Sequence, residues 1–317
     1  MLTVIQPHEI KQSGDVSLML GEWYEALDLR VQAGELAANS GEAYKRGVGK
    51  FISWCEVAGI DSVSADVLRS WKAALLKSGK RPATVNAWMA GVKALFAWAV
   101  ETKSLAYNPA GGVKGATRKG QTRKHAREAL TDQEVLRVLA QPDTTTRQGK
   151  RDLAILAMMA YAGVRQVEIN RADLGDLRTE SGRLVLYVTG KGHDTADDIV
   201  VLANPKAENA LHDWLAVRGN QGGPLFTSFS DRSSGQRLGL RAIRGIVKDY
   251  YQATGVHGNK TTHSLRHTAI SKAIMKGAPI QKVQSMARHK SIDTTMIYYH
   301  ELDRLTNPAE DFIDYNT

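Results

Sequence analysis

Over the first hundred residues, apolar positions recur three and four apart, the spacing of helices rather than the alternation of strands. Leu20, Trp23, Tyr24, Leu27 and Val31 predict one helix from about Val16. Tyr44, Val48, Phe51, Ile52 and Cys55 predict a second, opening after Ser40-Gly41 and stopping at Gly59. A third begins near Ser64, buries Leu68, Trp71 and Leu75, and ends at Ser78-Gly79. The fourth carries Pro82 in its first turn, where a missing N–H costs nothing, and runs through Val85, Met89, Val92, Phe96 and Ala99. Asn108-Pro109 and Gly111-Gly112 close the unit. Residues 1–14 show no such pattern and read as a loose lead-in.

The second half mixes periods. Thr131 followed by Glu134 is a capping box that opens a new unit. Arg151 to about Tyr161, rich in Leu, Ile, Met and Ala, predicts a central core helix that delivers Arg165. Leu184–Thr189 and Ile199–Leu202 read as two strands around a turn containing Lys191. Helices are expected at about 205–218 and 238–254, separated by a Gly/Ser-rich loop. In the last stretch, Ile280, Val283 and Met286 share a face, and Asp293-Thr294-Thr295 signals a helix start before Ile297-Tyr298. No internal repeat or low-complexity segment is visible.

Charge sharpens this division. The formal net charge is +9 over 317 residues, and it is concentrated. Residues 1–112 hold 12 Lys/Arg against 11 Asp/Glu, residues 128–317 hold 24 against 22, and residues 113–127 hold six basic residues and no acid. Two nearly neutral units, 1–112 and 128–317, are thus joined by a basic linker, 113–127. A linker lying along DNA has that composition, as does a solvated one. The single cysteine, Cys55, excludes a disulfide framework and suits a reducing cytoplasm. The N-terminus lacks the basic-then-apolar order of a secretion signal. The apolar run from Leu153 to Val164 is too short to span a bilayer.

The chemistry gathers between Thr261 and His300, which holds His263, Arg266, His267, His289 and Tyr298. On a helix, His263, Arg266 and His267 share one face. Arginine forks onto phosphate oxygens, imidazole moves protons near neutrality, and a tyrosine hydroxyl can form a covalent intermediate. His263 and His267 could instead be half of a zinc site, but no acidic residue separates them in the HExxH manner and the only cysteine is distant. Gly190-Lys191-Gly192 lacks the ending of a phosphate loop.

His263-x-x-Arg266-His267, then His289, then Tyr298 resembles the tyrosine recombinase (phage integrase) family. Ala162-Gly163-Val164-Arg165-Gln166-Val167-Glu168 resembles the box carrying that family's first catalytic Arg, and Val188-Thr189-Gly190-Lys191-Gly192 its β-hairpin with the catalytic Lys. The resemblance implies a mainly α protein. It would have an all-α, SAM-like core-binding bundle and a mostly α catalytic domain with a small antiparallel β-sheet, the DNA breaking-rejoining enzyme fold. It implies Arg165, Lys191, His263, Arg266 and His289 as catalytic residues and Tyr298 as nucleophile; the family's spacing selects Tyr298 over Tyr299. Glu168 and His267 would support them.

Lys45, Arg46, Lys50, Lys80 and Arg81 on the bundle, and Lys114, Arg118, Lys119, Arg123 and Lys124 in the linker, are expected phosphate contacts. The implied partner is double-stranded DNA with paired inverted-repeat half-sites, two duplexes being bound by a homotetramer or a related hetero-assembly. No metal, ATP or other cofactor is expected. A type IB topoisomerase or a non-catalytic DNA-binding regulator are the alternative readings. One departure stands out: the turn after Lys191 continues His193-Asp-Thr-Ala-Asp-Asp198, acidic where the family's is usually basic. About fourteen residues precede the first predicted helix, too few for an added arm-binding domain, so a two-domain recombinase of the Xer or Cre kind is expected. The tail after Tyr298, with Phe312, Ile313 and Tyr315, would reach a neighbouring protomer.

Overall fold

The structure is a computed structural model that describes residues 3–4, 16–117, 128–189 and 198–302. The chain forms two compact units, Met1–Gln121 and Thr122–Thr317.

The first unit is a helical bundle of α1 (Val16–Gln32), α2 (Ala38–Val57), α3 (Ala65–Lys77) and α4 (Pro82–Glu101). Its core is aromatic: Trp23, Phe51, Trp71 and Phe96 are all at most 2% exposed, with the Phe51 and Trp71 rings 5.0 Å apart. Ser64 caps α3 by accepting from the Val67 N–H, and Pro82 stands in the first turn of α4. By length and composition alone α4 could cross a bilayer, but here its apolar face, from Val85 to Ala99, is the core of the bundle. Helices α2 and α4 cross at two glycines. A Cβ on Gly47 would stand 2.5 Å from the Trp88 carbonyl oxygen, and one on Gly91 would meet the Tyr44 carbonyl. Gly91→Ala should therefore destabilise this unit by about 1–3 kcal/mol, the usual range for overpacking. A lowered urea midpoint for its unfolding checks this; an unmoved midpoint would mean that the crossing yields freely.

Two details differ from the sequence reading. Thr3–Val4 (β1) pairs in parallel with Ser62–Val63 (β2), so the lead-in is not wholly loose; two residues are too few to show a period. Helix α2 starts at Ala38, ahead of Ser40-Gly41, and its cap residue Ala37 offers no side-chain acceptor, which removes the usual start signal. The basic linker also begins differently from a free strap. Val113 is buried in the bundle core, the Lys114 carbonyl accepts from Lys72 Nζ (2.9 Å), and Ala116 exchanges two hydrogen bonds with the Asn86 amide.

The second unit is built around α6 (Arg147–Ala162), whose residues Ala154–Ala160 are all buried. Around it lie α5 (Asp132–Ala140), α7 (Gln166–Arg171), α8 (Pro205–Arg218), α9 (Leu240–Ala253), α10 (Thr262–Met275), α11 (Ile280–Ala287) and α12 (Ile292–Leu302). The capping box expected at Thr131 and Glu134 is present. Helix α6 starts four residues earlier than its apolar pattern, because Thr146 caps a polar first turn by accepting from Gly149 N–H (2.9 Å). Near that end a buried Arg151–Asp152 pair is held by Tyr250 Oη and the Thr227 carbonyl.

The sheet has three antiparallel strands rather than two: β3 (Leu177–Glu180), β4 (Arg183–Val188) and β5 (Asp198–Val201), in that order. Strand β3, sequence LRTE, is an exposed edge with one apolar residue, so it carries no strand signature.

Candidate active site

The site begins where α6 ends. Gly163 takes the left-handed conformation (φ 61°, ψ 33°) that glycine adopts without steric cost, and this turns the chain so that Arg165 becomes the N-cap of α7. The capping box there is unusual in that it is ionic. Glu168, in the first turn of α7, accepts from the Arg165 backbone N–H (2.7 Å) and from Arg165 Nη1 (2.7 Å). Arg165 Nη2 then donates to the carbonyls of Ala287 (2.8 Å) and Arg288 (2.9 Å) at the end of α11.

Arg266 approaches from α10, almost wholly buried, and donates to the Gly163 and Ala287 carbonyls. Both arginines thus hold the Ala287 carbonyl, which fixes their guanidinium groups side by side. Burial pushes the Arg266 guanidinium down to about 9, and the Arg165 and Arg288 cations push the same way while Glu168 and Tyr298 oppose. At neutral pH it is still charged.

Arg288 is the member that sequence reasoning missed. It caps α11 in the left-handed region (φ 50°, ψ 49°), an uncommon conformation for a residue with a Cβ. Its side chain is 3% exposed and grips Glu168 with both Nε (3.1 Å) and Nη2 (2.7 Å), while Nη1 donates to the Met286 carbonyl (2.7 Å). Two guanidinium groups therefore clasp one carboxylate. Burial pushes the Glu168 carboxyl upward, but Arg288 and Arg165 outweigh it, and the net is below the ordinary carboxylate range. Nothing in the spacing flags Arg288; its left-handed backbone is visible only in three dimensions.

Tyr298, on α12, is 7% exposed among Ile270, Ile274, Val283 and Ala287. Its ring lies 4.8 Å from that of His267 and 5.9 Å, nearly parallel, from that of His289. His289 Nδ1 is 3.0 Å from the hydroxyl of Thr295, a fully buried residue. His263 stands in the exposed first turn of α10, one turn before Arg266 and His267. The helix brings the three together, but only Arg266 and His267 are inside. Lys191 follows β4 in sequence and lies outside the described residues, so its place is not part of this geometry. Among the described residues, no group of three or more His, Cys, Asp or Glu is placed to hold a metal ion.

Of the expected DNA contacts, Arg46, Lys50, Lys80, Arg81 and Lys114 are exposed. Lys45 is drawn onto both carboxylate oxygens of Asp28 (2.6 and 2.8 Å), which raises its ammonium, and lies 5.8 Å from the Tyr24 ring centroid. Arg118, Lys119, Arg123 and Lys124 lie outside the described residues.

Glu168→Gln should expose the importance of this carboxylate for stability. Removing one partner from a buried ionic cluster typically costs about 3–5 kcal/mol. Because the folded-state carboxyl is depressed, its contribution is fully present above the unfolded value of about 4.5 and is lost as pH falls through the folded one. Urea midpoints of wild type and variant should differ by a constant amount from pH 6 to 8 and converge on acidification. A gap that does not change with pH would assign the loss to packing rather than charge.

A helical bundle followed by a mostly helical domain with a small antiparallel sheet is the fold of DNA breaking-rejoining enzymes. Comparison with known proteins agrees. Residues 128–304 match the phage integrase family, and residues 22–103 match its N-terminal SAM-like domain. The chain belongs to the phage integrase family. Tyrosine recombinase XerC of Mycobacterium tuberculosis is 31% identical over 250 residues, covering 76% of this chain and 80% of that protein. XerC of Thermodesulfovibrio yellowstonii is 28% identical over 281 residues, covering 86% and 88%. Among solved structures, XerH site-specific recombinase bound to its palindromic difH substrate, a post-cleavage complex, superposes with a TM-score of 0.71 at 18% identity, covering 95% of this chain and 90% of that one. A lambda integrase tetramer bound to a Holliday junction gives 0.65 at 14% identity, covering 89% and 76%. At these identities the superpositions speak to the fold.

Proposed function

We propose that this chain is a site-specific DNA recombinase that cleaves and rejoins DNA through a 3′-phosphotyrosyl intermediate, in integration, excision or resolution. The observation that carries the reading is the pairing of Arg165 and Arg266 on the Ala287 carbonyl, beside a tyrosine ring flanked by two imidazoles. Tyr298 Oη attacks the scissile phosphorus, the bond to the 5′-oxygen breaks, and the leaving hydroxyl takes up a proton. The 5′-hydroxyl of the partner strand reverses the step, so no external energy source is consumed. Arg165 and Arg266 stabilise the charge that gathers on the non-bridging oxygens. His289 hydrogen-bonds the phosphate, His263 assists proton transfer from Tyr298, and Lys191 protonates the leaving oxygen. Glu168 and Arg288 hold Arg165 in place, and His267 packs the nucleophile's ring. With relatives named as recombinases, neither the topoisomerase nor the regulator reading is favoured.

The binding partner is double-stranded DNA, in the cytoplasm, as paired inverted-repeat half-sites occupied by four copies. The exposed bundle cations and the basic linker supply phosphate contacts, and the tail beyond α12 joins neighbouring protomers. Adduct formation on suicide DNA, with chelator present, tests the reading. Lys191 has its own check: Lys191→Ala should slow cleavage of ordinary DNA yet cleave DNA with a 5′-bridging sulfur at the wild-type rate, since a thiolate leaves without a general acid. Equal defects on both substrates would remove Lys191 from that role.

A further inference from the structure

Beside the reaction centre, α9, α10 and residues 256–261 enclose a cleft of about 740 Å³ that the mechanism above does not use. Its floor is apolar and buried, formed by Val247, Tyr251 and Val256. Its rim is cationic. Arg244 and Lys248 stand four apart on α9, so their exposed side chains share one face. Lys260 also lines the cleft, but it is committed to Glu134 at 2.6 Å. Among the described residues neither Arg244 nor Lys248 has a carboxylate partner. The fourth wall is the link to the chemistry. Gln166, the residue after Arg165, accepts through Oε1 from both Arg244 Nε (3.2 Å) and Thr262 Oγ1 (3.0 Å). His263 closes the same edge, one turn before Arg266.

A guanidinium has five N–H donors, and the bond to Gln166 uses one of Arg244's, on the side away from its fork. The fork is therefore oriented without being consumed. A strand whose scissile phosphate rests on Arg165 and Arg266 carries its next phosphate one nucleotide away, and the cleft is lined by the residue that follows Arg165, Gln166, and by the one a turn before Arg266, His263. We propose that the cleft is a second phosphodiester site: it holds the phosphate next to the scissile one on the cleaved strand, with Arg244 and Lys248 as its anion-binding pair and Gln166 coupling it to Arg165. The sugar of the intervening nucleotide lies against the apolar floor. This rests on the DNA-cleavage reading above and specifies how the substrate strand is seated.

The test removes the same charge from either side. The probe is a nicked suicide duplex whose site has been selected from random-sequence DNA by binding to the wild-type protein. It is made with ordinary phosphates or with one neutral methylphosphonate at each position flanking the scissile bond. On ordinary DNA, Arg244→Gln/Lys248→Gln should form adduct about tenfold or more slowly, the loss expected for charge-assisted hydrogen bonds. Wild type should show a similar loss at one flanking methylphosphonate, and the double variant no further loss on that same DNA. Arg244→Lys should recover part of the rate, because it returns charge without the fork. Losses that multiply, or a wild type indifferent to every flanking methylphosphonate, would overturn the proposal. So would a variant whose defect is a changed base preference, which would make the cleft a base-reading surface. The two readings fail separately: a wild type that forms no adduct on ordinary DNA overturns the cleavage reading and this proposal with it, whereas normal adduct with multiplying losses overturns the second site alone.

Discussion

Tyr298→Phe should bind DNA as wild type does and form no detectable covalent adduct, the largest effect expected of any single change. The substitution removes one oxygen and leaves the ring, which packs against His267 and His289 and against the Ile270, Ile274 and Val283 side chains. Because the hydrophobic contacts survive, the unfolding midpoint should move by less than about 1 kcal/mol, as for other near-isosteric changes. Tyr299→Phe should still form the adduct. Gel shifts together with denaturing gels on suicide DNA separate binding from chemistry. If the Tyr299 variant is the inactive one, the nucleophile is misassigned.

Arg266→Lys should slow adduct formation by about 10²–10³-fold, the usual cost of losing one preorganised donor to developing charge. The guanidinium holds two carbonyls, those of Gly163 and Ala287, and those bonds use two of its five N–H donors, which leaves others for a phosphate. An ammonium is a point charge and cannot keep both carbonyls in one plane while doing so. The site here is buried, so the lysine would also be desolvated beside Arg165 and Arg288. Binding measured by gel shift should weaken far less than the rate, since one phosphate contact among many is lost. A rate within threefold of wild type would mean that Arg165 carries the phosphate alone.

These expectations show what the sequence carried and what it did not. The bundle was legible because apolar positions recur three and four apart within each of its helices, and the aromatic residue each helix carries there, Trp23, Phe51, Trp71 or Phe96, is buried in one core. The catalytic unit was legible from its central helix and from the order of Arg165, His263, Arg266, His289 and Tyr298. Short or polar pieces were not. Strands β1, β2 and β3 are two to four residues long, and a period needs more than that to show. The polar first turn of α6 hides behind Thr146, which declares a cap but no face. Arg288 was missed because its contribution depends on a left-handed backbone that turns its side chain inward onto Glu168, 120 residues away in sequence. Likewise the link from Arg244 through Gln166 to Thr262 joins residues 78 and 96 positions apart, a distance no local pattern spans.

The central claim is that one named oxygen becomes covalently bound to DNA, and a single measurement addresses it. Wild-type protein trapped on suicide DNA in the presence of a chelator, then digested and analysed by mass spectrometry, should yield one nucleotide-bearing peptide, with the 3′-phosphate on Tyr298. An adduct on any other residue, or none without a divalent metal, would contradict the account.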